Sequence, residues 1–161
     1  MLVLNTGGTF NKVYNKKTGK LDVAFNNNAI EMITKSFDAK YDMAGVMYKD
    51  SLDMDINDRK ILANIIMESK DSKFLVVHGT DTMDITAEFL SAVFDDRVIV
   101  LTGAMKPFEI DKIEASVNFG MAYGFLQGCD KNGVYICMSG HVKEWEDLKK
   151  NKQLGKFEVV R

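Results

Sequence analysis

The chain is poor in the residues that most often declare a protein's chemistry. It holds one proline, two cysteines, two histidines and one tryptophan among 161 residues. Cys129 and Cys137 have neither the paired spacing of a zinc site nor the number that staples a small secreted fold. Free, buried thiols in a reducing cytoplasm are therefore expected. His78 and His141 stand far apart and read as packed or solvated side chains rather than metal ligands. No metal and no cofactor is expected. Apolar runs span only a few residues, far below the ~20 needed to cross a bilayer, so no membrane partner is expected. Met1 leads directly into strand-like Leu2-Val3-Leu4, with no signal-peptide pattern. Twenty-one Lys and Arg are interspersed with 23 Asp and Glu, for a net charge of −2, which leaves no basic footprint for nucleic acid. Hydrophobic residues at 46 % and charged residues at 27 % are the balance of a soluble domain with a real core. The length suits one domain rather than two.

What is present alternates. Leu2–Leu4, Ala44–Tyr48, Phe74–Val77, Val98–Leu101 and Val134–Met138 read as short buried strands. Between them, Ala29–Phe37, Ile56–Ser69, Thr82–Phe94 and Ile113–Leu126 carry helical stripes. The expected inward residues are Ile30, Ile33 and Phe37, then Ile61, Leu62, Ile65 and Ile66 with Asp58 opposite. In the last two helices they are Ile85, Phe89, Leu90 and Val93, then Val117, Met121 and Phe125. The polar stretch Asn11–Lys20 should be a surface loop or hairpin. Val134–Met138 is the last clear strand. The pattern predicts an α/β fold: a single domain of three layers with a mainly parallel, flavodoxin-like sheet built from right-handed βαβ units.

Two segments carry the chemistry. Thr6-Gly7-Gly8-Thr9 follows the first strand, and His78-Gly79-Thr80-Asp81-Thr82-Met83 follows Phe74–Val77. Each places a threonine just past the carboxyl end of a strand, the edge where open α/β sheets bind ligands. Two hydroxyls and a carboxylate are the parts of a nucleophilic site. The first segment reads equally as a tight glycine turn, and it has neither the dinucleotide fingerprint nor a phosphate-loop ending. The second precedes a helix, and Thr80 or Asp81 is expected to cap it. Asp53–Asp58 has the outline of a calcium loop, but Asp58 replaces the required glycine and Asn64 the closing glutamate. It reads instead as a polar loop with a helix cap. Trp145 reads as packing. The charged run Lys143–Lys152 reads as a solvated face, and nothing in it singles out Lys150.

These residues resemble the bacterial-type L-asparaginases of the asparaginase/glutaminase superfamily. Thr6-Gly7-Gly8-Thr9 is similar to the family's first signature and His78–Met83 to its second, which is highly specific. Val100–Pro107 is similar to the segment that follows, with Lys106 for the usual arginine. Asp50-Ser51-Leu52-Asp53-Met54 is similar to the Ser-Gln-Asp substrate segment. Spacing through Val142 and Asp147 brings Lys150 onto the family's catalytic lysine. The resemblance covers nearly all of residues 1–161 but only the amino-terminal domain of the family's two-domain enzymes.

The resemblance implies roles. Thr9 is the nucleophile that forms an acyl-enzyme, with Tyr14 helping to take its proton. Thr80, Lys150 and Asp81 form a second triad. Ser51 holds the substrate's α-carboxylate and Asp81 its α-ammonium, and Thr80, Gly8, Gly79 and Ala104 also contact substrate. A lysine is protonated at neutral pH, with a reference pKa near ~10.4, so burial must favour its neutral form before it can act as a base. Two departures bear on specificity. Leu52 replaces the usual glutamine, and the family's carboxyl-terminal domain, which supplies a glutamate from a neighbouring subunit, is expected to be absent. Hydrogen bonds to charged groups contribute about 1.5–3 kcal/mol each, so losing two weakens asparagine binding by roughly 10²–10⁴-fold. The leading expectation is an amidohydrolase that acts weakly on asparagine, or better on another small amide. The alternatives are a non-catalytic amino-acid-binding module and an amidotransferase subunit completed by a partner chain. A homo-oligomer, taken as a dimer, is expected from the family.

Overall fold

The computed structural model describes residues 1–161 and contains ten strands and four α-helices. The central sheet uses β1 (Leu2–Gly7), β4 (Asp42–Lys49), β5 (Lys73–Val77), β6 (Val98–Thr102), β7 (Gly133–Met138) and β8 (His141–Glu144). Their spatial order is β4-β1-β5-β6-β7-β8; the first five are parallel and β8 runs antiparallel at the edge. This is the expected single-domain, flavodoxin-like arrangement. Strand order reverses between β1 and β5, and such a reversal opens a crevice at the carboxyl ends of the strands.

The strands read as unbroken apolar runs because both faces are buried. Leu4, Phe74, Val76, Ile99, Leu101 and Ile136 point to one side, where α2 (Ile56–Glu68) and α3 (Met83–Val93) pack. Val3, Leu75, Val77, Val98, Val100 and Tyr135 point to the other, against α1 (Asn28–Thr34) and α4 (Lys112–Gly128). The strict alternation divides the core into two clusters, one on each face of the sheet.

The helical faces differ in part from expectation. Ile61 lies 48 % exposed, while Leu62 and Ile66 are buried. In α3 the inward residues are Met83, Thr86, Ala87 and Leu90, while Ile85 and Val93 are exposed. In α4 they are Ala115, Asn118, Phe119, Ala122 and Leu126; Met121 and Phe125 pack only at the margin, and Val117 is exposed. Phe37 is exposed beyond the end of α1. Asp58 is not on a solvated face. It is buried, closes a capping box with Asp55 and holds the Lys49 ammonium at 2.7 Å. Cys137 is buried, but Cys129 is half-buried at the end of α4.

Asn11–Lys20 enters a hairpin of β2 (Lys12–Asn15) and β3 (Lys20–Val23). The run after Met138 is not a bare solvated face. It contains β8 and a second hairpin of β9 (Leu148–Asn151) and β10 (Lys156–Val159). Leu148 and Phe157 sink into the α2/α3 side of the core and fix this hairpin beneath the cleft edge. Trp145 packs against the same cluster, with the Lys149 ammonium 4.5 Å from its ring centroid. No helix is long and apolar enough to cross a membrane.

The difference between neighbours in α2 is measurable. Leu62→Ala should cost about 2–5 kcal/mol in urea unfolding, as a buried leucine does. Ile61→Ala should stay within about 0.5 kcal/mol. Equal losses would place the buried face of α2 wrongly.

Candidate functional site

The crevice between β1 and β5 is drawn together by backbone contact. Gly8 has φ +73°, and a Cβ there would stand 2.4 Å from the Gly79 Cα and N. A Cβ on Gly79 would in turn meet the Ser51 side chain at 2.6 Å. Only glycine permits these approaches. They deliver Thr9, Thr80 and Ser51, each adjacent to or stacked on a contact glycine, to one end of the sheet. Two hydroxyls tie the strand ends below: Thr6 Oγ1 donates to the Val77 carbonyl at 2.8 Å and Thr102 Oγ1 to that of Cys137 at 2.9 Å.

Lys150 completes the cluster. Its Nζ donates to Thr80 Oγ1 at 2.7 Å and to Asp81 Oδ1 at 2.8 Å. Its side chain is only 13 % exposed. Two-residue periodicity explains the placement: Leu148 and Lys150 share a face of β9, and Leu148 is anchored in the core. Thus the structure brings Thr80, Asp81 and Lys150 into direct contact. Ser51 joins them, its Oγ accepting the Asp81 backbone N–H at 3.2 Å.

The remaining expected residues differ in their placement. Thr9 sits half-buried on a 3-10 turn whose next residue, Phe10, is buried in the α1/α4 cluster. Its hydroxyl makes no hydrogen bond within the chain. Tyr14 lies on β2, 56 % exposed, and its hydroxyl is likewise unbonded; only its backbone N–H is held, by the Glu109 carboxylate. The structure therefore does not join Tyr14 to Thr9. Ala104 is fully buried in the core, backbone included, and does not line the open face of the cluster. Lys106 pairs with Asp111 at 3.1 Å on an exposed surface.

The cap expectation for α3 is corrected. Its N-cap is Thr82, whose side chain caps no N–H. Thr80 and Asp81 are instead occupied by Lys150. The Thr82 hydroxyl donates to the Ser51 carbonyl at 2.8 Å and accepts from Arg59.

Arg59 is the residue that sequence reasoning missed. It is buried, and its guanidinium spans Thr82, Thr86 and the Met54 carbonyl. Thr86 Oγ1 in turn lies 2.9 Å from His78 Nε2, and His78 Nδ1 lies 2.7 Å from the Gly79 carbonyl. The carbonyl can only accept, so Nδ1 carries the proton and Nε2 accepts from Thr86. His78 is a packed histidine beneath the turn that carries Thr80. Burial pushes its pKa down to about 4, outweighing the Gly79 hydrogen bond. His141 is exposed.

Around the cluster, cations and carboxylates are paired. Lys12 Nζ meets Asp50 Oδ2 at 2.6 Å, tying β2 to the turn that carries Ser51. Burial raises the pKa of Asp50, but the Lys12 ammonium and the Leu52 N–H prevail and hold its carboxyl below the usual value. Two cavities flank the hairpin. One, of about 290 Å³, lies between Phe10, Met32, Phe108 and Lys112. The other, of about 550 Å³, lies between Leu21, Phe25, Tyr48 and Asp50. Neither contains Thr80 or Lys150, which are themselves largely buried.

Comparison with known proteins places the chain in a family. The family model "Asparaginase, N-terminal" matches residues 1–156. L-asparaginase 2 of Escherichia coli (strain K12) is 30 % identical over 161 residues, covering 92 % of this chain and 45 % of the relative. A glutamyl-tRNA(Gln) amidotransferase subunit of Methanosphaera stadtmanae is 31 % identical over 158 residues, covering 86 % of this chain and 33 % of that one. The thermostable L-asparaginase of Thermococcus kodakarensis superposes with a TM-score of 0.85 at 22 % identity, over 99 % of this chain and 50 % of that chain. The chain spans half or less of the length of the curated relatives it matches.

The His78 network predicts a pH dependence. Its folded pKa lies below the unfolded value of ~6.5, so the unfolded chain takes the proton first. The stabilisation is full above about pH 6.5 and is lost as pH falls towards 4. It amounts to something on the order of 3 kcal/mol. Urea unfolding should show wild type losing more stability than His78→Gln between about pH 7 and 4.5. A wild-type-to-variant difference that stays constant over that range would refute it.

Proposed function

The chain belongs to the asparaginase family through the amino-terminal-type domain of that family, and we propose on that premise that it is an amidohydrolase. Its substrate is asparagine or a related small carboxamide, hydrolysed through a threonine acyl-enzyme in the cytoplasm. Residues 1–161 serve as the amino-terminal-type unit, working in a homo-oligomer, which we take to be a dimer. The observation that carries this reading is the single contact set of Lys150 with Thr80 and Asp81.

In this reading Thr9 Oγ1 attacks the amide carbon and ammonia leaves after taking a proton. Water then attacks the ester and frees the acid and Thr9. Tyr14 reaches Thr9 by movement of its hairpin and relays the proton of the first attack. A threonine hydroxyl needs a base beside it to become a useful nucleophile. Thr80 supplies the second hydroxyl. When neutral, Lys150 draws the proton from Thr80, which takes one from the incoming nucleophile, and Asp81 orients the amine. Ser51, Gly8 and Gly79 surround the substrate, and Ala104 meets it only through movement of its own loop.

A second reading is favoured by the amidotransferase relatives: the chain acts within a larger amidotransferase. A stoichiometric partner chain co-purifying from native lysate would raise it above the first.

Ammonia release from asparagine, glutamine and small amides tests the leading reading. Thr80→Val and Lys150→Met should each lower the rate by about 10²–10⁴-fold, the contribution typical of a positioned proton-transfer group, and Thr9→Val, which removes the attacking oxygen, should lower it at least as far. Thermal melts should confirm that the variants fold. An unchanged rate in Thr80→Val would end the proposal.

A further inference from the structure

We propose that Lys12 is a specificity-determining residue: its ammonium cancels the charge of Asp50 beside Ser51, and so lets the cleft admit a substrate that carries a carboxylate. This rests on the amidohydrolase reading above and adds to it the residue that sets which amides are accepted.

The cleft is left with unused donors. Ser51 is buried, and its Oγ accepts the Asp81 N–H at 3.2 Å. Its own proton has no acceptor within the chain. Thr80 is in the same state: it is buried, it accepts from Lys150 at 2.7 Å, and its proton is not taken up. A hydroxyl that already receives an N–H has one proton left to give. Buried donors call for acceptor atoms. The amide oxygen is one acceptor, at Thr80. A second oxygen is wanted at Ser51, which stands against Gly79, the residue before Thr80.

Charge decides whether that second oxygen can be anionic. The residue before Ser51 is Asp50. Its Oδ1 accepts the Leu52 N–H at 3.1 Å and its Oδ2 the Lys12 ammonium at 2.6 Å. Burial raises the Asp50 pKa, but Lys12 and the Leu52 N–H outweigh it, and the Lys150 charge adds to their effect. Asp50 is therefore ionised, and it lies within the field of the lysine that holds Thr80 and Asp81. The Lys12 and Asp50 side chains are only 22 % and 27 % exposed, so water screens them in part. Left bare, Asp50 would repel a carboxylate at Ser51. The other carboxylates nearby are answered differently: Asp81 has Lys150, and Asp53 is exposed to water. Asp50 alone depends on a cation from the β2 hairpin. The carboxylate does not take Lys12 from Asp50; it is held by the Ser51 hydroxyl at a place the pair keeps neutral.

The probes are asparagine and 3-aminopropanamide, which is asparagine without its carboxylate, and ammonia release is read on the full chain. Lys12→Met should lower the ratio of their kcat/KM values about tenfold, which is ~1.4 kcal/mol, and the loss should lie in the asparagine KM. Adding Asp50→Asn removes the uncovered charge and still accepts the Leu52 N–H. The double variant should therefore return the ratio to within about twofold of wild type, as coupled sites do. Lys12→Arg should keep it. If only asparagine turns over, the inhibition constant of 3-aminopropanamide replaces its kcat/KM. Were Lys12 merely a tie for the hairpin, both amides would lose equally and the double variant would recover nothing. Either result overturns the inference, as does an unmoved ratio in Lys12→Met. If neither amide releases ammonia, the hydrolase reading fails by itself and calorimetry with aspartate decides the charge balance. Aspartate binding weakened by Lys12→Met and recovered in the double variant upholds it. Binding that Lys12→Met leaves unmoved, or absence of heat, sinks it.

Discussion

The site depends on one steric constraint: the backbones at Gly8 and Gly79 touch, with no space for a Cβ between them. They stand at the carboxyl ends of β1 and β5, where the strand order reverses. Parallel strands lie about 4.7–4.9 Å apart, and their connections usually diverge to opposite faces of the sheet at this point. Here the loops lean together over the crevice instead. The positive φ of Gly7 and Gly8 makes the first turn sharp enough, and the closeness of Gly79 to Ser51 brings in a third loop. Chemistry needing groups from distant parts of the chain thus becomes local.

Contact alone does not orient side chains, and a second layer does so. The His78–Thr86–Arg59 network fills the space under the second turn with groups whose donors and acceptors match. A buried polar network of this kind is favourable only when its members are satisfied. The neutral imidazole meets that condition: one nitrogen donates to Gly79 and the other accepts from Thr86. Protonation would turn the acceptor towards a hydroxyl already receiving the Arg59 N–H. Burial itself depresses the histidine's pKa, with the Arg59 charge adding to it, and the neutral ring fits the turn as a structural part. Arg59 and Thr82 then tie the turn to the Ser51 loop, so that Ser51, Thr80 and Asp81 are held by one hydrogen-bonded set.

Much of this is legible in the sequence, for a physical reason. Strands buried on both faces appear as continuous apolar runs, and the two glycine-threonine turns follow such runs directly. The helical faces are less legible. In α3 apolar residues stand at Met83, Ile85, Ala87, Phe89, Leu90 and Val93, nearly all the way round, while the buried Thr86 interrupts the stripe. In α4 the bulky row Ile113, Val117, Met121 and Phe125 outweighs, by eye, the smaller Ala115, Asn118 and Ala122 that face the sheet. Lys150 is invisible without the family resemblance, because its position depends on the lone apolar anchors Leu148 and Phe157 in a charged stretch. Arg59 carries no signal at all. A charged residue in an amphipathic helix reads as solvent-facing until its tertiary partners are known.

The pairing of charges around the crevice has a consequence for recognition. Lys150–Asp81, Lys12–Asp50 and Lys49–Asp58 each place a cation on its own carboxylate. A substrate ion entering such a cleft must compete with an existing partner, and an exposed pair of this type is itself worth only about 0–1 kcal/mol. The Lys150–Asp81 pair is the least exposed at its lysine and has a hydroxyl as third member, so displacing it would dismantle the proton path along with the pair. Lys150 takes only Oδ1 of Asp81, and the other oxygen has no hydrogen-bond partner within the chain. A carboxylate accepts at both oxygens, so Asp81 can receive a second donor without releasing the lysine. The pairing that holds the proposed catalytic lysine in place therefore leaves acceptor capacity beside it.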